Sequence, residues 1–291
     1  MKVLLTGGHG FIGRQILKHL QQENIEVVAP SRKDLDLLDM DQVQAFLQKQ
    51  RPEILVHNAW FTEHGKFWTA PENERWRKAS LQMAEVFVSH GGQRFVGLGT
   101  CAEYEWSQVV CEEGKTPLRP ATFYGEQKKL LFEELTNFFR TEKKSFLWGR
   151  IFFPYGPFEK PTRVIPLMIQ SLLRKTPLAL SSGEQKRDFL FTEDLGDLIA
   201  ALALSEAEGD VNLSSGQSVS LREIGGLLLQ MTGSSAELLQ FSNEATKEAQ
   251  SVIGCIQRRQ QMLSWEPQFT LQTGLQKTLD WWKHAIDDRY G

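Results

Sequence analysis

Cysteine is scarce in this chain, positive charge is not in surplus and long apolar runs are missing, and each shortage excludes a class of protein. Three cysteines, Cys101, Cys111 and Cys255, are spread over 291 residues. An odd set without a C-x-x-C pair builds neither a disulfide framework nor a zinc or redox site, and it suits a reducing compartment. No metal is expected. Lys+Arg 33 against Asp+Glu 36 leaves a net charge of -3, so the basic surplus that nucleic-acid binding draws on is missing. The longest apolar run, residues 198–204, falls far short of the roughly 20 residues that cross a bilayer. Only residues 3–5 form an apolar run before the first glycine cluster, too few for a secretory leader core of about 7 to 15 residues. A cytoplasmic protein without nucleic-acid or membrane partners is the expectation. Hydrophobic residues at 41% are nevertheless enough for a sizeable core, as in ordinary globular chains.

Short β-type runs stand at residues 3–5, 25–29, 54–57 and 95–98, and a stretch of helical periodicity follows each. In the first of these stretches Phe11, Ile12, Ile16, Leu17 and Leu20 share one face. Alternating strands and helices predict a parallel sheet, because right-handed crossovers place helices on both of its faces. The predicted fold is therefore α/β, a doubly wound Rossmann-type domain. Beyond Gly149 the texture changes, with Pro154, Pro157, Pro161, Pro166 and Pro177 interrupting short helices. A smaller, mixed α/β substrate-binding lobe is expected there. Thr192 reads as a helix N-cap ahead of Glu193, Asp194 and an apolar stretch, and that helix is assigned back to the large domain. The boundaries expected are 1–153 with about 188–206 for the large domain, and 154–187 with 207–291 for the smaller lobe.

Directly after the first strand stands Thr6-Gly7-Gly8-His9-Gly10-Phe11-Ile12-Gly13. Glycines at 7, 10 and 13 allow a tight turn, a close backbone approach to a pyrophosphate and close helix packing, while the helix N-terminus adds partial positive charge. A dinucleotide site is expected, with an ordinary glycine-rich strand-to-helix turn as the competing reading. NAD sites usually carry a carboxylate at the end of the second strand, where this chain reads Val28-Ala29-Pro30-Ser31-Arg32. Ser31 and Arg32 suit a 2'-phosphate, which favours NADP(H) over NAD(H). Arg32 as a solvated loop charge is the competing reading, since Asp34 and Asp36 offer other pairings or a different ribose contact.

Tyr124 and Lys128, at i and i+4, share a helix face. A phenol moves protons at neutral pH only when nearby positive charge stabilises its anion, and Lys128 with an oxidised nicotinamide meets that need. With Thr100 and Tyr104 after the fourth run, His57-Asn58-Ala59 after the third, Arg150 to Pro157, Arg187-Asp188-Phe189 and Trp265-Glu266-Pro267, the chain resembles the extended short-chain dehydrogenase/reductases that act on nucleotide-linked sugars. The resemblance spans nearly the whole chain. It implies Tyr124 as acid/base, Lys128 as the cation that holds the nicotinamide ribose and lowers the tyrosine pKa, and Thr100 as donor to the reacting oxygen. Other cofactor contacts it implies are Phe11, Ile12, Leu38, Asp39, Asn58, Ala59, Trp60 and Phe152. On the substrate side it implies Thr62, Cys101, Phe153, Arg163, Val164, Leu167 and the diphosphate-binding Arg187.

Relatives that remove water across C5 and C6 follow the threonine with Asp-Glu. Here Cys101-Ala102 stands instead, and alanine transfers no proton. The Ser31-Arg32 pocket then tilts the choice toward net reduction: an NADP-dependent reductase of a nucleotide-linked 4-keto-(6-deoxy) sugar, with an NAD-dependent 4-epimerase as the alternative. A non-catalytic dinucleotide sensor is disfavoured because Thr100, Tyr124 and Lys128 are all present. Two departures from the family pattern stand out. Phe153-Pro154 occupies the place of a phosphate-binding asparagine, and the stretch from Trp60 to His64 is unusually aromatic. A homodimer built on Met83, Phe87, Leu131, Phe132 and Leu135 is expected by analogy, with a core role for the same residues as the other reading.

Overall fold

Each predicted β-type run is a strand in the computed structural model, which describes residues 1–107, 109–244 and 249–290, the last four by backbone alone. They are β1 (Lys2–Thr6), β2 (Glu26–Val28), β3 (Ile54–His57) and β4 (Arg94–Thr100). The strands Ser145–Ile151 and Gly209–Leu213 complete an all-parallel sheet in the order Gly209–Leu213, Ser145–Ile151, β4, β3, β1, β2. Every residue of β4 is buried, as a strand covered on both faces requires.

Four helices, α1 (Gly13–Leu20), α2 (Met40–Gln50), α3 (Glu72–Ser89) and α4 (Phe123–Glu142), follow the four strands in turn. After them come α5 (Val164–Arg174), α6 (Thr192–Leu204), α7 (Leu221–Thr232), α8 (Gln257–Met262) and α9 (Leu271–Tyr290). Ile16 and Leu20 of α1 pack with Leu195, Leu198 and Ile199 of α6 on one sheet face. Val43, Leu47, Met83, Phe87, Leu131 and Leu135, from α2, α3 and α4, fill the other. A separate apolar cluster joins α5, α7 and α9 through Ile165, Met168, Ile169, Leu228, Leu275 and Trp282. The parallel pair Phe153–Tyr155 and Phe189–Phe191 leads from the sheet into that cluster, since Tyr155 and Phe191 belong to it.

Three expectations need correction. Gly209–Leu213, assigned by sequence to the smaller lobe, pairs with Ser145–Ile151 and buries Val211 and Leu213 in the core of the sheet. Thr192 is the first helical residue of α6 rather than its cap; Phe191 holds the cap position and no side chain bonds the helix end. Met83, Phe87, Leu131 and Leu135, proposed as a dimer surface, are almost wholly buried within the chain's own core, with Phe132 packed against them. Those four present no face to a second copy. No helix among the described residues is long and apolar enough to cross a membrane.

In this sheet β1 lies between β2 and β3, so the chain leaves β1 and β3 toward opposite edges. A crevice opens at the carboxyl ends of strands at such a switch point, and ligands of doubly wound sheets bind there.

Candidate active site

The loop after β1 and the segment after β3 face each other across that crevice. Gly7 has φ 66°, and a side chain on it would press against the Ala59 backbone at 3.0 Å. A Cβ on Gly13 would lie 1.9 Å from the Gly7 carbonyl oxygen, so only glycine lets α1 start so close to the strand. Thr6 ties the segments together: its hydroxyl accepts from the Asn58 and Ala59 amides, both at 3.2 Å, and bonds His57 Nδ1 at 2.8 Å. Ser80 gives its own proton to the Trp76 carbonyl and accepts from His57 Nε2, which assigns the Nε2–H tautomer. Burial, aided by Lys128, pushes the His57 pKa down to about 3. His57 is a neutral strut.

A cavity of about 710 Å³ runs from this loop to the ends of β4 and the Ser145–Ile151 strand, a volume in the range of cofactor and ligand sites. No side chain caps α1 and its first turn holds no acid, so its dipole is left for an anion. The cradle therefore fits a dinucleotide pyrophosphate. Gly7, Gly10, Phe11 and Ile12 line the cavity there, and Pro30, Ser31, Arg32, Leu35, Asp36 and Leu37 line the end that would take its adenosine.

At the other end of the cavity, three local features set Thr100 and Tyr124 on one wall. Thr100 ends β4 and opens a short turn in which its hydroxyl accepts from the Ala102 amide at 3.2 Å, while Glu103 accepts from the Thr100 amide at 2.8 Å. Thr122 caps α4 by accepting from the Gly125 amide. A Cβ on Gly125 would meet the Ala102 carbonyl at 2.2 Å, so glycine at this place seats the first turn of α4 against the turn that follows Thr100. Tyr124 and Thr100 both line the cavity, and burial raises the phenol pKa well above its ordinary value, against a smaller lowering by the Thr100 side chain. The phenol is protonated at neutral pH. Phe67 and Trp68 meet its ring edge-on at 5.1 and 5.8 Å.

Lys128 is held differently from the arrangement the resemblance implies. Its ammonium donates to the Leu98 carbonyl at 2.8 Å and sits 3.6 Å from the centre of the Trp60 ring. Trp60 lines the cavity while Lys128 does not. Burial lowers the lysine pKa to about 7. Trp60 is itself fixed by a 2.8 Å bond from Nε1 to Asn73 Oδ1.

Of the other residues implied by resemblance, Asn58, Ala59, Thr62, Cys101, Phe152, Phe153, Arg163 and Val164 line the cavity. Gly13, Leu38, Asp39, Leu167 and Arg187 do not. Asp39 caps α2, accepting from the Asp41 and Gln42 amides and the Gln42 side chain. Leu167 is 37% exposed on α5, whose apolar face is turned toward α7 and α9. Arg187 is buried beside Phe153, donating to the Lys186 and Ala249 carbonyls. Ser31 donates its hydroxyl to Asp34 Oδ2 at 2.6 Å and lowers that carboxyl's pKa. Sequence reasoning missed Glu159, Phe67, Trp68 and Trp106, all on the cavity wall. The three aromatics fit no motif, and Glu159 follows the Tyr-Gly-Pro turn without a spacing of its own.

A dinucleotide cradle at the switch point of a doubly wound sheet, with Thr100 and Tyr124 on the cavity wall and Lys128 buried against Trp60, fits the extended type of nicotinamide-dependent sugar-nucleotide enzyme. Residues 3–214 match the NAD dependent epimerase/dehydratase family, and the chain belongs to it. GDP-L-colitose synthase of Yersinia pseudotuberculosis is 22% identical, with 96% of both chains covered. UDP-glucuronic acid decarboxylase 1 of Xenopus tropicalis is 29% identical over 98% of this chain and 73% of its own. Among solved structures, the UDP-glucose 4-epimerase of Thermotoga maritima with UDP-glucose superposes with a TM-score of 0.86 at 21% identity, covering 98% of this chain and all of the other. Its counterpart from Thermus thermophilus, solved with NAD, also gives 0.86 at 21% identity with the same coverage. The protein is an enzyme of this family.

Proposed function

We propose that the protein is an NADP-dependent reductase of a nucleotide-linked 4-keto-6-deoxy sugar. The observation that carries this reading is the Thr100–Tyr124 pair on the wall of one largely apolar cavity, the phenol held protonated by burial. With a reduced dinucleotide bound, the nicotinamide supplies a hydride to the sugar carbonyl. Tyr124 gives its proton to the carbonyl oxygen, and Thr100 donates a hydrogen bond to the same atom as charge develops there. Lys128, one turn further along α4 and in its protonated form, offsets the new negative charge. Ala102 follows Cys101 at the place where a dehydratase needs an acid and a base, and burial pushes the Cys101 thiol well up. Cys101 then behaves as a small apolar wall. Arg32 at the adenosine end suits a 2'-phosphate. The similarity to synthases named for GDP-linked L-colitose and L-fucose, both 6-deoxy sugars, agrees with net reduction.

A second reading, an NAD-dependent 4-epimerase, is favoured by one feature: Asp36 lines the adenosine end beside Arg32 and could accept from ribose hydroxyls. The test follows the reduced-nicotinamide absorbance of NADPH as GDP-, UDP-, CDP- and dTDP-linked 4-keto-6-deoxy hexoses are added. Loss of the band with one of them is the expected result. No loss with any, together with interconversion of C4 epimers in the presence of NAD, would replace the reductase by the epimerase.

A further inference from the structure

Glu159 faces the cavity, yet the reduction outlined above gives it no task. It follows Phe158, whose φ of 69° is a backbone state that bulky residues rarely adopt and that persists only where the surroundings enforce it. The enforcing contacts are visible. The Phe158 ring carries the Arg14 guanidinium 3.9 Å from its centre and lies 4.8 Å from the Trp281 ring. On the other side Lys160 Nζ donates to the Thr62 carbonyl at 2.8 Å, which ties the turn to the aromatic stretch beside the reaction end. Between these anchors Glu159 is turned inward onto the cavity wall.

Its amide donates to the Gly156 carbonyl at 3.4 Å. Oε2 is buried with no partner, a costly state for a carboxyl oxygen unless something arrives to meet it. The turn also lies close to the chemistry. Arg163, whose charge acts on both Glu159 and Tyr124, stands 5.6 Å from the centre of the Phe67 ring, and Phe67 is 5.1 Å from the Tyr124 ring. A carboxyl brings no positive charge to a diphosphate and pairs readily with a hydroxyl, so Glu159 fits the sugar rather than the phosphates.

We infer that Glu159 is a specificity-determining residue of the sugar subsite, its buried Oε2 exchanging a hydrogen bond with a hexose hydroxyl. The inference rests on the nucleotide-sugar reading above. Burial pushes the carboxyl up to about 8, so at neutral pH it both donates and accepts, as a hydroxyl partner requires. A site built to bond a hydroxyl discriminates strongly against a ligand that lacks it, because its own polar atom is then stranded.

The experiment is calorimetric titration of the NADPH-saturated protein with GDP, UDP and dTDP and with GDP-mannose, UDP-glucose and dTDP-glucose. Wild type, Glu159→Gln and Glu159→Leu are compared. For the nucleotide accepted, the sugar should add about tenfold in affinity in wild type and Glu159→Gln. Glu159→Leu should lose that increment while its affinity for the bare nucleoside diphosphate stays within about twofold. Should the leucine variant not fold, the carboxyl carbon resonance of Glu159, assigned by its absence in Glu159→Gln, should move with the nucleotide sugar and not with the nucleoside diphosphate. A leucine variant that keeps the increment, a resonance that ignores the sugar, or a wild type without an increment would overturn the contact. Failure of every nucleotide and nucleotide sugar to bind would instead overturn the nucleotide-sugar reading, and the contact with it.

Discussion

Lys128 and Arg150 are both buried beside β4, at 4% and 0% exposure, and they are satisfied in opposite ways. Arg150 forms ion pairs with Glu103 and Asp210, donates to the Tyr104 hydroxyl, and stays firmly charged. Lys128 meets a backbone carbonyl and an indole face, and no carboxylate among the described residues pairs with it. Burial, only partly opposed by the charge of Glu103, brings its pKa down to about 7. A cation surrounded by its own counter-charges is part of the architecture. One that gives up its proton readily is placed for something that arrives later, which is how functional groups are recognised from their surroundings. The tyrosines divide in the same way. Tyr104 gives its proton to Asn212 Oδ1 deep in the Arg150 network, whereas Tyr124 lines the cavity with Thr100.

That division makes predictions of decreasing size. Tyr124→Phe should lower turnover about 10³-fold, seen in steady-state NADPH oxidation, with NADPH affinity unchanged by calorimetry. Turnover near normal would remove Tyr124 from the chemistry. Glu103→Gln, which strips Arg150 of its inner partner, should cost about 3 kcal/mol in urea unfolding, because a buried charge is left without compensation. Replacing the arginine's counterpart has the opposite sign: Lys128→Met should leave stability at neutral pH unchanged or higher while turnover falls. Arg32→Ala should weaken NADPH about 30-fold, the worth of one or two charge-assisted hydrogen bonds, and NADH within about twofold. Equal losses would move Arg32 away from the 2'-phosphate.

The lysine also leaves a signature in pH. Its folded-state pKa lies below the unfolded value, so between about 7 and the ordinary lysine range the unfolded chain holds a proton that the folded chain has released. Stability contributed by this group therefore rises with pH across that window, and the penalty is greatest below it. Urea titrations of wild type at rising pH should show the slope, and Lys128→Met should lack that part of it. Smallest of the expected effects is Asp39→Ala. It removes the α2 cap and should cost about 1 kcal/mol without changing dinucleotide affinity, since Asp39 serves the helix and not the cavity.

Much of this was legible in the sequence wherever the demand is local. The apolar runs gave the four strands because strands buried on both faces need them, and glycines at 7 and 13 are required by backbone contacts that no other residue tolerates. Tyr124 and Lys128 share a helix face by spacing alone. What could not be read depends on which way a tertiary contact turns a side chain. Ile165, Met168, Ile169 and Leu172 of α5 are claimed by the cluster with α7 and α9, which leaves Leu167 outside. Trp60 sits over Lys128 because Asn73 on α3 holds its indole nitrogen. Glu159 points inward because Arg14 and Trp281, distant in the chain, fix the residue before it. None of these three follows from periodicity or spacing.

The most direct measurement is the fate of the hydride. NADPH deuterated at the transferable position of its nicotinamide, incubated with the 4-keto-6-deoxy sugar nucleotide that consumes it, should deliver deuterium to C4 of the product, as mass and proton spectra would read. A product without deuterium, or C4 epimers exchanging while the coenzyme pool stays unchanged, would contradict net reduction and leave an epimerase in its place.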